Sequence, residues 1–414
     1  MATAAASPQY SLKSMLQHAP FRTLWLAQFV SIFGDFLALF GVINLITFTL
    51  HGTAVQVTAV TIAYVLPLAI VGPVAGVFVD HWNPKVIMIA SDLIRGGLIL
   101  ILVFVTDVRQ ICTVFAVLST VSCFFVPAQS VTVRTLVPPE GLLAANALMS
   151  QAFYLVRLLS PALAGLLILW ASEKACFYLD TASFIFSAFM IARLTVVRPA
   201  RAGAEKTVRS LTQDFLAGNR FIFTHAGLAF VFMAMAVAMF VLSSFSPLVS
   251  IYIRDSLHAG TFWFGIISSM IGVGLIAGTQ LVTRLVRGRS HSNVVLSGLL
   301  GLGVGAAVLG LFRNIPTAAI SMFTMGFAIA FVLVPAQTMS QRETPPQMVG
   351  RVTSTFMSLL SFAQIFGLLL SGVLAQRLGI RPLFIASAAF LALIAGAGYW
   401  MTHRRPETPV PAVS

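Results

Sequence analysis

Twelve hydrophobic runs, each bounded by charge, proline or glycine, dominate the sequence. They fall near residues 22–50, 54–79, 86–105, 109–132, 144–171, 175–193, 227–252, 261–286, 292–312, 316–339, 351–376 and 381–402. A helix needs about 20 apolar residues to cross about 30 Å of hydrocarbon. In hydrocarbon a backbone satisfies its own polar groups only as a helix or a closed barrel. Runs of this length therefore specify an all-α integral membrane protein with twelve transmembrane helices. The composition agrees: of 414 residues 58% are hydrophobic and only 9% are charged, against about a quarter charged in soluble domains. A soluble enzyme, a disordered chain and a disulfide scaffold are excluded, because no single aqueous core buries so much apolar surface.

The net charge of +13 raises nucleic acid as a partner, but the basic residues gather in alternate loops and do not form one groove. An even number of spans places both termini on one side. Taking that side as cytoplasmic puts seventeen Lys and Arg inside and six outside, the bias that records membrane orientation. The expectation is a multi-pass protein of the inner (cytoplasmic) membrane, both termini cytoplasmic, in contact with membrane lipids and not with nucleic acid. The first twenty residues are polar and do not read as a secretory signal. Cys112, Cys123 and Cys176 all lie in apolar runs and read as small packing residues. Cys112 and Cys123 are about 16 Å apart along a helix, too far to bond.

The longest polar stretch divides the chain into an N-terminal six-helix bundle (1–193), a cytoplasmic linker (194–226) and a C-terminal six-helix bundle (227–414). In the linker Leu211, Phe215 and Ile222 recur at helical spacing opposite Asp214 and Arg220, as in a helix lying on a membrane surface. A basic loop held by anionic lipid fits equally well. The halves repeat each other. Val126-Pro127-Ala128-Gln129-Ser130 followed by Arg134 returns as Val334-Pro335-Ala336-Gln337-Thr338 followed by Arg342, and a Pro-Pro pair comes shortly after each. Gly72 and Gly76 match Gly274 and Gly278, and Gly165 matches Gly372. Two related bundles that rock about a shared site provide alternating access, and small residues let their helices approach closely.

Ionisable groups inside hydrocarbon are costly, so those kept there are default candidates for function. Asp35 lies about 16 Å into the first span, and Arg157 is similarly deep in the fifth. Asp92 and Arg95 stand one turn apart near the cytoplasmic end of the third span, and Asp180 lies in the outer part of the sixth. None of the seven histidines is deep in a span. Two readings of Asp35 stay open. It carries a proton whose binding changes as contact with Arg157 is made and broken, or it is a permanent ion-pair partner or backbone cap beside Gly34. Arg157 also suits an anionic substrate group. Gln28, Gln129, Gln151, Gln337, Gln364, Met235 and Met239 are candidate cavity residues, with interhelical packing as the alternative. No Gly precedes a Lys, which excludes a Walker A loop, and no Cys/His cluster has metal spacing. Neither an enzyme nor a bound metal or cofactor is expected. A membrane-embedded lipid-modifying enzyme needs a cluster of His, Asp or nucleophiles at one membrane face, and Asp80 with His81 lacks partners in sequence.

Two six-helix halves joined by a long basic loop resemble the major facilitator superfamily over essentially the whole chain. Gly76-Val-Phe-Val-Asp80-His-Trp-Asn-Pro-Lys85 resembles the superfamily's signature loop between its second and third helices. Phe21–Asp35 and Leu142–Leu148 are similar to the branch containing the enterobactin exporter and macrolide efflux pumps; the lysophospholipid flippase is a more distant relative. The resemblance implies a cytoplasmic latch made by Gly76, Asp80, Lys85, Asp92 and Arg95. The alternative is orientation signalling plus an Asp92/Arg95 pair on one helix. Ser160-Pro161-Ala-Leu-Ala-Gly165 resembles the superfamily's antiporter element, and an ordinary proline kink is its alternative. The expectation is a monomeric secondary active transporter, a proton-coupled exporter of amphipathic small molecules (drug or siderophore-like) working by alternating access. Its energy source is the proton gradient, and a lysophospholipid flippase is the second reading.

Overall fold

The computed structural model describes residues 11–79, 82–196, 208–285, 291–345 and 348–404, and every regular element among them is helical. A short α1 (Leu12–Gln17) is capped by Ser11, whose side chain accepts from the Ser14 amide at 3.1 Å. Pro20 then sits in the first turn of α2 (Ala19–Asn44), where a missing N–H costs nothing. The helix ends in a π-helical turn, Leu45–Thr49. The second hydrophobic run forms α3 (Ala54–Ile70) and α4 (Gly72–Val79), interrupted where Gly72 and Pro73 follow each other, because Pro supplies no N–H to the preceding turn. Next come α5 (Pro84–Ile101), α6 (Val108–Leu136), α7 (Leu142–Ala171) and α8 (Glu173–Ala192). A connecting α9 (Val208–Thr224) precedes α10 (Ala226–Asp255), α11 (Thr261–Leu285), α12 (His291–Leu311), α13 (Ile315–Glu343), α14 (Val349–Leu378) and α15 (Ile380–Arg404). The twelve runs thus correspond one to one with helices or helix pairs. The helix expected within the linker is α9.

The chain folds as two compact units. The first comprises Met1–Thr212 with Pro247–Ser269, the second Gln213–Ser246 with Met270–Ser414. In the first, α2 packs on α7 and α8, α8 on α5, and α5, α3 and α4 on α6. Gly34 and Gly41 lie on the α2 face that meets α8: a Cβ at Gly41 would come within 3.0 Å of Cys176 and 3.2 Å of Phe177. In the second, α12 packs on α13 and α15, Phe245 stacks on Phe384 with centroids 4.4 Å apart, and α9 approaches α14 at Gly218.

The ends of α10 and α11 belong with the first unit because polar groups tie them there. Thr47 donates to Ser250 Oγ at 2.9 Å, Asn44 Nδ2 to Thr261 Oγ1 at 2.6 Å, and Arg254 Nη1 to the Thr47 and Gly52 carbonyls at 2.6 and 2.9 Å. The guanidinium thus satisfies one carbonyl of the π-helical turn and one of the loop that follows it. The adjoining loops repeat as well. Leu50-His51-Gly52-Thr53 answers Leu257-His258-Ala259-Gly260-Thr261, and both histidines take the left-handed conformation, each with φ 50°.

The matched glycines do not all play the same part. A side chain at Gly274 would collide with the Phe323 backbone, and one at Gly278 with the Phe327 backbone, so α11 and α13 are in close contact there. Nothing lies within 4 Å of a Cβ at Gly72, which instead marks the α3/α4 break. Pro127 of α6 and Pro335 of α13 occupy the interiors of corresponding helices.

Candidate functional site

The deepest polar feature of the first unit is built by α2, α5 and α8. Asp35 is near the middle of a 31-residue apolar span, Ala19–Thr49. Its Oδ2 lies 3.6 Å from Arg95 Nη1 of α5. Arg95 Nη2 also bonds Asp92 Oδ1 one turn earlier on the same helix. The guanidinium is sandwiched by Phe125 of α6 at 4.5 Å and Phe184 of α8 at 4.4 Å. Two desolvated cation–π contacts, each worth up to about 2 kcal/mol, replace part of the lost water.

The α8 face completes the cluster with Asp180, Ser183 and Ser187, all buried. Ser183 Oγ is 2.8 Å from the Asp180 carbonyl and 3.1 Å from Asp180 Oδ1, and Ser187 faces Asp92. Tyr64 of α3 faces the same group. These side chains meet because Gly34 has no Cβ: a methyl there would strike Ser183 Oγ and Asp180 Oδ1. Asp35 keeps 24% of its side chain exposed, whereas Asp92 and Asp180 are fully enclosed. An apolar groove of about 300 Å³ over α2 and α8 includes Val30, Phe33, Gly34 and Ser183 in its lining.

This arrangement differs from the expected partnership. Arg157 is exposed on α7 and forms no ion pair among the described residues. The partner of Asp35 is Arg95, and Asp92 and Arg95 sit in the interior of α5 and not in its first turn. Lys85, in the first turn of that helix, donates from Nζ to the Ala192 carbonyl at 2.7 Å. Gly76 lies in α4, and Asp80 is outside the described residues. Ser160 and Pro161 are buried, and Gly165 allows α11 to cross α7, since a Cβ there would come within 3.2 Å of the Gly265 Cα. Of the candidate cavity residues, Gln151 and Gln337 are exposed, Gln129, Gln364 and Met239 half-buried, and Gln28 and Met235 buried. Asp180, placed by the sequence in the outer part of the sixth span but given no role there, joins the cluster. Its position on one helical face with Ser183 and Ser187 was the available signal.

Comparison with known proteins follows the same lines. The sequence profile of the transmembrane secretion effector family of the major facilitator superfamily matches residues 11–409. The chain belongs to this family. It is a multi-pass membrane transporter and not an enzyme. Among its relatives is an uncharacterized transporter of this superfamily from Bacillus subtilis, YfiS, 28% identical over 380 residues, covering 90% of each chain. Macrolide efflux protein A of Streptococcus pyogenes is 25% identical over 389 residues (91% of this chain, 94% of that protein). The multidrug efflux pump Tap of Mycolicibacterium fortuitum is 25% identical over 377 residues (86% and 89%). The nucleoside transporter NupG has the same fold, with a TM-score of 0.73, 14% identity and coverage of 93% and 100%.

Proposed function

We propose that this transporter exports amphipathic small molecules, of the drug or siderophore-like kind, in exchange for protons. The observation that carries the reading is the Asp35–Arg95 contact in the middle of an otherwise apolar span, with Asp35 the partly exposed member. A carboxylate in that position binds a proton when it leaves the guanidinium and releases it on return, so proton binding depends on conformation. Relatives named as macrolide and multidrug efflux pumps support an apolar, drug-like cargo. Phe230, Met233 and Met239 on α10 are side chains of that adaptable, apolar chemistry.

On this reading the protein is a monomer of the cytoplasmic membrane with both termini inside, and alternating access moves the cargo. Gly76, Asp80 and Lys85 serve as the cytoplasmic latch, while Asp92 and Arg95 serve the buried cluster. Arg157, free of an acidic partner among the described residues, suits an anionic group on the cargo. The test is transport of a macrolide antibiotic in proteoliposomes under an imposed pH gradient. Asp35→Asn is expected to lose gradient-driven accumulation by tenfold or more, with counterflow exchange less affected. Wild-type accumulation in both Asp35→Asn and Asp35→Glu would remove Asp35 from the mechanism.

A further inference from the structure

Three carboxylates, Asp35, Asp92 and Asp180, surround one guanidinium in the first unit, with Tyr64 and Cys176 the other titratable groups facing Asp180. One positive charge cannot balance three negative ones in a dry interior, where an uncompensated ion costs several kcal/mol. The three acids differ in their partners. Asp92 bonds Arg95 directly, which makes it the fixed counter-ion. Asp35 touches Arg95 at 3.6 Å and is partly exposed. Asp180 is fully buried and, unlike the other two, forms no ion pair among the described residues; its Oδ2, like Asp92 Oδ2, has no hydrogen-bond partner there.

The hydrogen count at Ser183 points the same way. Its hydroxyl has one hydrogen and two oxygens in reach, the Asp180 carbonyl at 2.8 Å and Asp180 Oδ1 at 3.1 Å. That hydrogen serves the nearer carbonyl, so a full bond at the second contact needs a hydrogen from the carboxyl. We propose that Asp180 carries a proton and stays un-ionised beside the Asp35–Arg95–Asp92 group, leaving Asp35 as the one acid that exchanges. Asp180 is thus a positioning residue. It keeps a second negative charge away from Asp35, so that Asp35 gains or loses a single proton while Asp92 remains with Arg95. The inference rests on the proton-coupled reading for its role, but the protonation of Asp180 is measurable without transport.

The experiment is infrared spectroscopy of the purified full-length protein in liposomes at neutral pH. The wild type is expected to show the carbonyl stretch of an un-ionised carboxyl group. Asp180→Asn should abolish that band, and Asp35→Asn should keep it. Ser183→Ala, a milder change, should move the band, because the group that shares its hydrogen bond is gone. Absence of the band in the wild type, its survival in Asp180→Asn, or an unmoved band in Ser183→Ala would each overturn the assignment. Failure of the pH gradient to drive wild-type transport, with the band intact, would instead overturn the proton-coupled reading and leave the protonated Asp180 standing.

Discussion

At the scale of single residues, Arg95 organises the first unit. It is 4% exposed, bonded to Asp92, within reach of Asp35 and stacked between Phe125 and Phe184. Removing one partner from a buried ion pair strands the others, at a cost of about 3–5 kcal/mol. Arg95→Met is therefore expected to lower the thermal unfolding midpoint in detergent. Arg95→Lys should rescue it poorly, since an ammonium lacks the flat guanidinium face that stacks on two rings and bonds two carboxylates. Combining Arg95→Gln with Asp92→Asn should recover part of the loss by removing both charges together. A wild-type melting curve for Arg95→Met would show that the cluster contributes little to the fold.

At the scale of helices, small residues decide which elements meet. Gly34 lets α8 reach α2, Gly165 and Gly265 let α7 cross α11, and Gly274 lets α11 lie against α13. Within the first unit side-chain bonds tie the end of α2 to the end of α10, Thr47 to Ser250 and Arg254 to two backbone carbonyls. If these ends part during transport, a covalent tie there must stop the cycle. The two hydroxyls are 2.9 Å apart, so Thr47→Cys with Ser250→Cys is expected to form a disulfide on mild oxidation. Transport should then fall to the background of empty liposomes and return with reductant. Unimpaired transport by the crosslinked protein would mean that α2 and α10 never part there.

At the scale of the whole molecule, the motifs repeated along the sequence are those a doubled bundle carries, and the proposed alternating access would use such a repeat. The segment between α8 and α9 carries Arg198, Arg201 and Lys206, and the orientation proposed above, which rests on the charge bias, puts it in the cytoplasm. A cysteine at Ala204, in a chain otherwise free of cysteine, should be reached by a membrane-impermeant maleimide in inside-out vesicles and not in intact cells. Labelling of intact cells would reverse the orientation, and with it the direction of transport proposed above. The three native cysteines are free of disulfides, and Ser is a conservative replacement for each.

Spans and the repeated Val-Pro-Ala-Gln element were legible in the sequence because hydrophobicity over about 20 residues and short motifs are local properties, unaffected by what packs against them. Depth was legible too: Asp35 does lie near the middle of its span. The partner of that acid was not. Arg157 and Arg95 both occur inside apolar helices, and only the rotation and crossing of those helices turn Arg95 toward Asp35 and leave Arg157 exposed. Asp180 joins from 145 positions away because the missing Cβ of Gly34 makes room for it. Residue counting measures distance along a helix axis. Which side chains share a buried charge is set by azimuth and close packing, and those exist only once the bundle is assembled.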